Sequence, residues 1–167
     1  KSTQIPQYIR DSGLCSGTIL VLQPRRIAAR MLAAFIASQR NSTPGKEVGY
    51  TTRFESAVSD ETRILFITEG ILPRMLLKDP HLNGIDVVIF DEFHERSIST
   101  DLGLALIRDL HRRRKNLHLI IMSATLDTES LSPYLPDAVI IDSPGRTFPV
   151  DIRYSPVSRE LPVWDGA

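Results

Sequence analysis

Short segments of nearly continuous Ile, Leu, Val and Phe recur along the chain, without the strict apolar–polar alternation of a half-exposed strand. A strand that is covered on both faces has this pattern, as in a parallel sheet that lies between helices. The pattern therefore predicts five buried strands, at residues 18–23, 63–68, 86–90, 118–122 and 138–141. Residues 46–52 are a further, shorter candidate strand.

Segments with helical periodicity lie between these strands, at residues 26–40, 70–78, 99–113 and 128–134. Strands that alternate with helices predict an α/β domain with a mostly parallel sheet, helices on both faces and right-handed crossovers. Ligands of such sheets bind at the carboxyl ends of the strands. The residues that follow each strand are therefore the candidate functional residues.

The chain changes character after Ser143, where four prolines surround one candidate strand at residues 150–154. This composition favours an exit segment or linker. We therefore expect an α/β domain over residues 1–143 and a linker toward a second domain over 144–167. Because the chain opens with Lys1 and has no signal-peptide pattern, we expect an N-terminally truncated fragment with an open sheet edge near residues 86–90.

Composition excludes some classes of protein. Of the 167 residues, 42% are hydrophobic and 24% are charged, which is typical of a globular domain. No apolar run reaches the roughly 18 to 20 residues that span a bilayer. The single cysteine, Cys15, excludes an internal disulfide. We therefore expect no membrane span and a reducing, cytoplasmic location.

The net charge of zero conceals an asymmetry along the chain. Residues 1–83 contain 11 Lys or Arg and 7 Asp or Glu, whereas residues 84–167 contain 9 and 13. Six basic residues and one acid lie within residues 23–53. Such a face can contact phosphates, with Arg25 and Arg26 at a helix N-terminus, or it can be an ordinary solvated helix surface.

Two adjacent carboxylates, Asp91 and Glu92, follow the most hydrophobic strand. Unpaired charge at the end of a buried strand is costly. A functional role is therefore favoured over the alternative, in which the acids stabilise a helix N-terminus. In a Walker-B arrangement the first carboxylate holds Mg²⁺ and the second orients and deprotonates the attacking water. This hypothesis assigns Asp91 to the metal and Glu92 to the water.

Two further short motifs carry less information by themselves. Lys1-Ser2-Thr3 matches only the end of the phosphate-binding motif G-K-[ST], without its glycines. Ser123-Ala124-Thr125 closes a strand and is compatible with simple turn or capping groups. A zinc motif is excluded because position 98, where a second histidine would follow His94, holds Ile98. Ser123 also lacks the flanking glycines of a serine-hydrolase elbow.

Taken in order, these segments resemble the motifs of the first RecA-like domain of DExH/DEAH-box helicases of superfamily 2, a P-loop NTPase fold. The resemblance covers residues 1–154, and the occurrence of several independent motifs in the right order makes it specific. The matching segments are the end of motif I at residues 1–7, motif Ia at 23–29, motif Ib at 68–72, motif II with its extension at 91–97 and motif III at 123–127.

Two departures indicate a subgroup. Phe93 stands where the DEAH name requires Ala, and Glu69 stands where many relatives carry Asp. With residues 145–150, this pattern is most similar to that of bacterial HrpB-type helicases. Phe93 leaves the metal and water chemistry with Asp91 and Glu92.

The resemblance implies an enzyme that uses ATP or another NTP, with Mg²⁺, to translocate on RNA or DNA and to unwind it. It also implies two partners, which are single-stranded RNA or DNA and a second RecA-like domain of the same parent chain. Lys1, Asp91 and Glu92 would be catalytic, with Ser2 and Thr3 at the nucleotide and with Ser2 and Asp91 on Mg²⁺. The strand path would consist of Arg25, Arg26, Arg53, Thr68, Glu69 and Gly70, and the residues that couple nucleotide state to domain closure would be His94, Ser123 and Thr125.

Two other classes of function stay open. A P-loop ATPase or switch without unwinding activity shares Lys1-Ser2-Thr3 and Asp91-Glu92, but it has no need for motifs Ia and III. A non-catalytic α/β interaction module leaves the two carboxylates without a role. Because a complete phosphate loop and a second RecA-like domain are not recognisable within residues 1–167, we expect this chain alone to fold and to be a poor ATPase.

Overall fold

The computed structural model of the chain describes residues 1–125, 131, 133–143 and 149–152. The chain divides into two compact units, Lys1–Asp127 and Thr128–Ala167. The first unit contains the sheet, its helices and the predicted site residues. None of the described helices is long and apolar enough to cross a membrane.

The first unit is built on a six-stranded sheet. Its strands follow one another in space in the order β3-β2-β4-β1-β5-β6, and every neighbouring pair is parallel except β2 and β3. The mostly parallel sheet predicted from the apolar segments is therefore confirmed. The strands are β1 (Thr18–Gln23), β2 (Val48–Thr51), β3 (Ser56–Ala57), β4 (Ile64–Thr68), β5 (Ile85–Phe90) and β6 (His118–Ile121).

Within residues 1–125 there are four α-helices, one before β1 and three between strands, and two of them follow short 3₁₀ turns. Pro6 lies in the first turn of the first helix, where its missing N–H has no intrahelical partner to lose. Ser97 caps the fourth helix, because its Oγ accepts a hydrogen bond from the Thr100 N–H. The helices are α1 (Ile5–Asp11), α2 (Arg26–Gln39), α3 (Leu72–Lys78) and α4 (Ile98–Arg113), and the 3₁₀ turns are Glu69–Ile71 and Phe93–Glu95.

Helices cover both faces of the sheet. On one face, apolar side chains of β1, β2, β4 and β5 form a buried cluster with four small or branched side chains of α2, namely Ala29, Ala33, Ile36 and Ala37. On the other face, α4 approaches β5 closely at Gly103, where an added Cβ would lie 3.3 Å from the Phe90 ring and 3.1 Å from Leu72. Burial on both faces explains why the strands are nearly continuous in apolar residues.

Several predictions of detail are wrong. Residues 138–141 form no strand, and Val139 and Ile141 are more than four-fifths exposed. The expected open edge at residues 86–90 is also absent, because β5 pairs with β1 on one side and with β6 on the other. Helix α1 and strand β3 had no signal in the apolar pattern, since both are short and neither contains a run of buried apolar residues.

The second unit is described only in part. Within it, the N–H groups of Tyr134 and Leu135 donate to the carbonyl of Leu131, and Ala138 N–H donates to the carbonyl of Leu135. Most of the helix predicted at residues 128–134 and part of the strand predicted at 150–154 lie outside the described residues.

Candidate functional site

Four parallel strands of the first unit end at the same edge of the sheet. Gln23 at the end of β1 lies beside Thr68 at the end of β4, and Leu22 lies beside Phe90 at the end of β5. Phe90 in turn pairs with Ile121 at the end of β6. The segments that follow these four strands are far apart in sequence, but they start next to one another at this edge. Most of the predicted site residues belong to these segments and therefore lie at one edge of the sheet.

A cleft of about 230 Å³ opens at this edge. Its lining includes Lys1, Ser2, Asp91, Glu92 and Ser123. The Lys1 ammonium donates a hydrogen bond to the Ser123 carbonyl at 3.2 Å, which ties the start of the chain to the end of β6. The structure thus gathers five of the predicted residues around one space, and Thr3 lies next to them in the chain.

Asp91 is buried, with only 6% of its surface exposed. One of its carboxylate oxygens accepts from the Glu92 N–H at 2.9 Å, and the other accepts from the Gln23 side-chain amide at 2.5 Å. In the described part of the chain, Asp91 has no ion pair with Lys or Arg. Neutral donors therefore orient this carboxylate while its negative charge stays available to a cation.

Gln23 is a site residue that the sequence analysis did not single out. Its amide is 1% exposed and reaches across from β1 to β5. A buried polar side chain at a strand end beside a candidate Asp is the signal that could have identified it, but which strand lies beside β1 is not visible in the sequence.

Glu92 has a left-handed backbone conformation, with φ 52° and ψ 39°. This region is sparsely populated by residues other than glycine, and it persists where the surroundings determine it. Here the neighbouring Phe93 N–H donates to the Met122 carbonyl at 3.0 Å, so β6 holds the turn. The Glu92 side chain is 42% exposed at the cleft, whereas Asp91 is buried beneath it.

His94, Ser123 and Thr125 lie close to this turn. The His94 Nδ1 atom is 3.4 Å from the Ala124 N–H and 3.6 Å from a Glu92 carboxylate oxygen. Nδ1 lies within reach of both groups, so His94 connects the turn after β5 to the turn after β6. The Ser123 hydroxyl donates to the Thr125 carbonyl at 2.7 Å, which closes the turn after β6.

Phe93, which stands in the position of the alanine of DEAH, is a packing residue. It is 3% exposed and meets the Phe90 ring edge to face, with centroids 6.4 Å apart. The Arg96 guanidinium lies 5.1 Å from the Phe93 centroid and forms two hydrogen bonds with Asp101 in α4. Phe93 therefore anchors the turn from inside and is not among the residues that line the cleft.

The predicted strand path contains exposed arginines at the start of α2. Arg25 is an exposed side chain whose guanidinium pairs with Glu95 at 3.0 Å. Arg26 and Arg53 both lie over the ring of Phe54, each with the guanidinium carbon 5.3 Å from the centroid. These three cations are held by side-chain partners at one corner of the domain and are not spread over the solvated face of α2.

The segment after β4 completes the predicted path. Thr68 is half-buried, and Gly70 is exposed with open space where a Cβ would stand. Glu69 between them directs its carboxylate to α4, where it accepts hydrogen bonds from the hydroxyls of Ser97 and Thr100. Its oxygens are therefore already engaged within the domain.

The oxygen ligands expected for Mg²⁺ are present at the cleft. Ser2 and Asp91 line it together, and a hydroxyl and a carboxylate are hard donors of the kind that Mg²⁺ prefers. Within the described residues no three His, Cys, Asp or Glu side chains are grouped closely enough to hold a metal alone. Two protein ligands fit Mg²⁺ when it is bound mainly through phosphates and water.

A mostly parallel sheet with helices on both faces, whose carboxyl edge carries an Asp-Glu pair and a Ser-Ala-Thr turn beside the Lys-Ser-Thr segment, is typical of a RecA-like α/β domain. Comparison with known proteins identifies a relative. The chain is 47% identical over 159 residues to the ATP-dependent RNA helicase HrpB of Escherichia coli, a match that covers 94% of this chain and 20% of the relative.

Two solved structures agree with this result. A crystal structure of the DEAH/RHA helicase HrpB of E. coli matches with a TM-score of 0.86 and 44% identity, covering 98% of this chain and 21% of that chain. A second crystal structure, of the E. coli DExH-box NTPase HrpB, matches with a TM-score of 0.82 and 44% identity, covering 96% of this chain and 20% of that chain.

No family model matches the chain. The two kinds of comparison nevertheless confirm the resemblance predicted from the motifs, because over almost all of its length the chain is homologous to HrpB, a DEAH/RHA helicase. These relatives are named as ATP-dependent helicases or NTPases, that is, as NTP-hydrolysing enzymes. The chain spans about a fifth of the length of the relatives that it matches.

Proposed function

We propose that the chain is part of an ATP-dependent helicase, in which it couples Mg-NTP hydrolysis to translocation on RNA or DNA and to unwinding. Homology to an ATP-dependent RNA helicase supports helicase function in general and favours RNA as the nucleic acid. The observation that carries the proposal is the single cleft that Lys1, Ser2, Asp91 and Glu92 line together.

At the nucleotide, the Lys1 ammonium would bind phosphate oxygens, with Thr3 nearby, and Ser2 and Asp91 would hold Mg²⁺. When bound, Mg²⁺ would neutralise charge on the phosphates during transfer. The buried amide of Gln23 keeps the Asp91 carboxylate in one orientation, which favours binding because little side-chain freedom remains to be lost.

Glu92 would act as the general base. Its carboxylate is exposed at the cleft, and among the described residues it has no Lys or Arg partner that would hold it away from water. The left-handed turn aims Glu92 differently from Asp91, so the two adjacent carboxylates serve different atoms. Glu92 would orient the attacking water and take its proton.

At the nucleic acid, Arg25, Arg26 and Arg53 would contact the phosphate backbone near Thr68 and Gly70. The Arg25–Glu95 pair is exposed, and such pairs contribute at most about 1 kcal/mol. A phosphate can therefore replace Glu95 at little cost. Contacts to phosphate and sugar carry no sequence information, which suits an enzyme that moves along any strand. His94, Ser123 and Thr125 would respond to nucleotide and to a second RecA-like domain.

The proposal is tested with the full-length protein by measuring ATP hydrolysis with and without single-stranded RNA or DNA. The same samples are assayed for separation of duplexes that carry a 3′ or a 5′ overhang. We expect strand-stimulated hydrolysis and ATP-dependent unwinding. Hydrolysis at the same rate with and without nucleic acid would support a P-loop ATPase or switch. Absence of hydrolysis would support a non-catalytic module.

A further inference from the structure

Glu69 connects two parts of the first unit that have different proposed tasks. It lies in the 3₁₀ turn after β4, between Thr68 and Gly70 of the proposed strand path. Its two carboxylate oxygens accept hydrogen bonds from the Ser97 and Thr100 hydroxyls, each at 2.5 Å. Both donors belong to the start of α4, so Glu69 joins the strand path to that helix.

The start of α4 is itself joined to Glu92 by a short, constrained segment. The 3₁₀ turn Phe93–Glu95 lies between Glu92 and Arg96, which both have positive φ, at 52° and 34°. Left-handed residues at both ends leave this segment little freedom, because each sparsely populated conformation is held by its surroundings. A shift at Ser97 is therefore passed along a rigid connection of four residues toward Glu92.

A direct contact between Glu69 and the nucleic acid is disfavoured. Phosphates repel a carboxylate, and both oxygens of Glu69 are already engaged with hydroxyl donors. Gly70, the next residue, is exposed and has open space above it, so a strand can approach the backbone there instead.

We propose that Glu69 is a positioning residue that transmits strand binding at Thr68 and Gly70 to Glu92 through the hydroxyls of Ser97 and Thr100. The inference rests on the proposed helicase function and names one route for its coupling. Hydrogen bonds to a carboxylate are among the strong ones, so a displacement of residues 68–70 moves the start of α4 and does not simply break the contact.

The test uses four variants of the full-length protein. Glu69→Ala removes both hydrogen bonds, whereas Glu69→Gln keeps one carbonyl oxygen that can accept from one hydroxyl. Asp109→Asn is the matched control, because Asp109 pairs with Arg113 in the last turn of α4, away from residues 93–100. Thr100→Val removes one of the two bonds with little change of volume and serves if Glu69→Ala fails to fold.

Two ratios are measured for each variant. The first is ATP turnover with single-stranded RNA divided by turnover without it, and the second is the affinity for a fluorescent Mg-ADP analogue with RNA divided by that without it. Coupling between two sites typically amounts to about five- to 150-fold, so Glu69→Ala is expected to lower the turnover ratio at least about fivefold. RNA affinity should change less than about twofold, since Glu69 is not a strand ligand.

Glu69→Gln should restore part of the ratio, and Asp109→Asn should keep it at the wild-type value. An unchanged ratio in both Glu69→Ala and Thr100→Val would overturn the inference, and so would an equal loss in Asp109→Asn. A large loss of RNA affinity in Glu69→Ala with an unchanged ratio would overturn it as well and would make Glu69 a strand ligand. If the wild-type protein shows no stimulation by nucleic acid, the proposed function itself fails and the inference falls with it.

Discussion

Two clusters of charged side chains lie at opposite edges of the same sheet, and they are paired in different ways. At the amino edge, the Arg40 guanidinium donates to Glu47 at 2.8 and 2.9 Å and to Asp11 at 2.9 and 3.0 Å. At the carboxyl edge, Asp91 and Glu92 have neutral donors or a histidine as partners within the described chain.

The pKa values at the amino edge follow from this pairing. Hydrogen bonds from Arg40 hold the pKa of the Asp11 and Glu47 carboxyls below their ordinary values, against a smaller opposing effect of burial. The same bonds raise the pKa of Arg40. Here every charge has its counter-charge within the fold, and the cluster joins the ends of α1 and α2 to the start of β2.

The difference between the two edges separates charges that stabilise the fold from charges that are kept for a ligand. A fully paired cluster lowers the free energy of the folded chain and leaves no unpaired charge that could bind a ligand. A carboxylate that has only neutral donors can still bind a cation or take a proton. The predictions below test whether the two edges divide their tasks in this way.

The largest effect is expected for Glu92→Gln, measured as steady-state ATP turnover in the full-length protein. General-base catalysis typically contributes about 10²- to 10⁴-fold, so turnover should fall by about 10³-fold. Nucleotide binding should stay close to wild type, because Glu92 acts on the water. Glu95→Gln is the control, since Glu95 lies three residues away on the same turn and, among the described residues, has Arg25 as its ion-pair partner. Turnover within about tenfold of wild type would sink the general-base assignment.

Gln23→Leu should weaken binding of Mg-nucleotide. The variant leaves one oxygen of the buried Asp91 without its donor, and loss of a partner that orients a metal ligand typically costs about 10- to 100-fold in affinity. Titration of a fluorescent ADP analogue at several Mg²⁺ concentrations measures the change. Gln39→Leu, at the exposed end of α2 where the side chain meets Gln7, is the control and should have no effect. Equal affinities for the two variants would contradict the role of Gln23.

Arg40→Met should destabilise the amino edge without touching the cleft. The partly exposed cluster justifies an estimate of about 1 to 2 kcal/mol at neutral pH. Hydrogen–deuterium exchange of α1, the end of α2 and β2 measures the loss of protection, and ATP turnover per folded molecule should stay at the wild-type value.

The destabilisation in Arg40→Met should depend on pH with a definite sign. The pKa values of Asp11 and Glu47 are lowered by folding, so their stabilisation is fully present above the ordinary values of 3.8 and 4.5. It is lost as the pH falls through the lower folded values. Exchange rates corrected for intrinsic chemistry should therefore converge between wild type and variant on acidification, and a difference that persisted at low pH would show that Arg40 acts through packing.

The smallest effect is expected for Arg25→Ala, as a loss of a few-fold in affinity for single strands. It should be similar for unrelated sequences, and the slope of log affinity against log salt should become shallower by about 0.7 for one lost phosphate contact. Arg26→Ala should behave in the same way. Arg112→Ala, an exposed arginine at the far end of α4, is the control. A changed sequence preference would rule out a phosphate contact.

Much of the fold was predictable because a strand that is buried on both faces is nearly continuous in apolar residues, and this pattern is visible in the sequence. A strand such as Ile85–Phe90 must be apolar at almost every position to lie between two layers of helices, and four of the five predicted strands are present within two residues of their expected bounds. The failure at residues 138–141 has the same origin. An apolar run indicates that a segment can be buried. A strand also needs a neighbouring strand for its backbone hydrogen bonds, and the run does not indicate whether one is present.

The sequence by itself determined the α/β class, the strand ends that carry Asp91, Glu92 and Ser123, and the resemblance to helicases, because these depend on residue type and order. Only the tertiary structure decided which side chains meet. Gln23 and Asp91 are 68 residues apart, and Glu69 and Thr100 are 31 apart. Such contacts arise from the spatial order of strands and from the path of α4, and no local pattern records which elements will lie side by side.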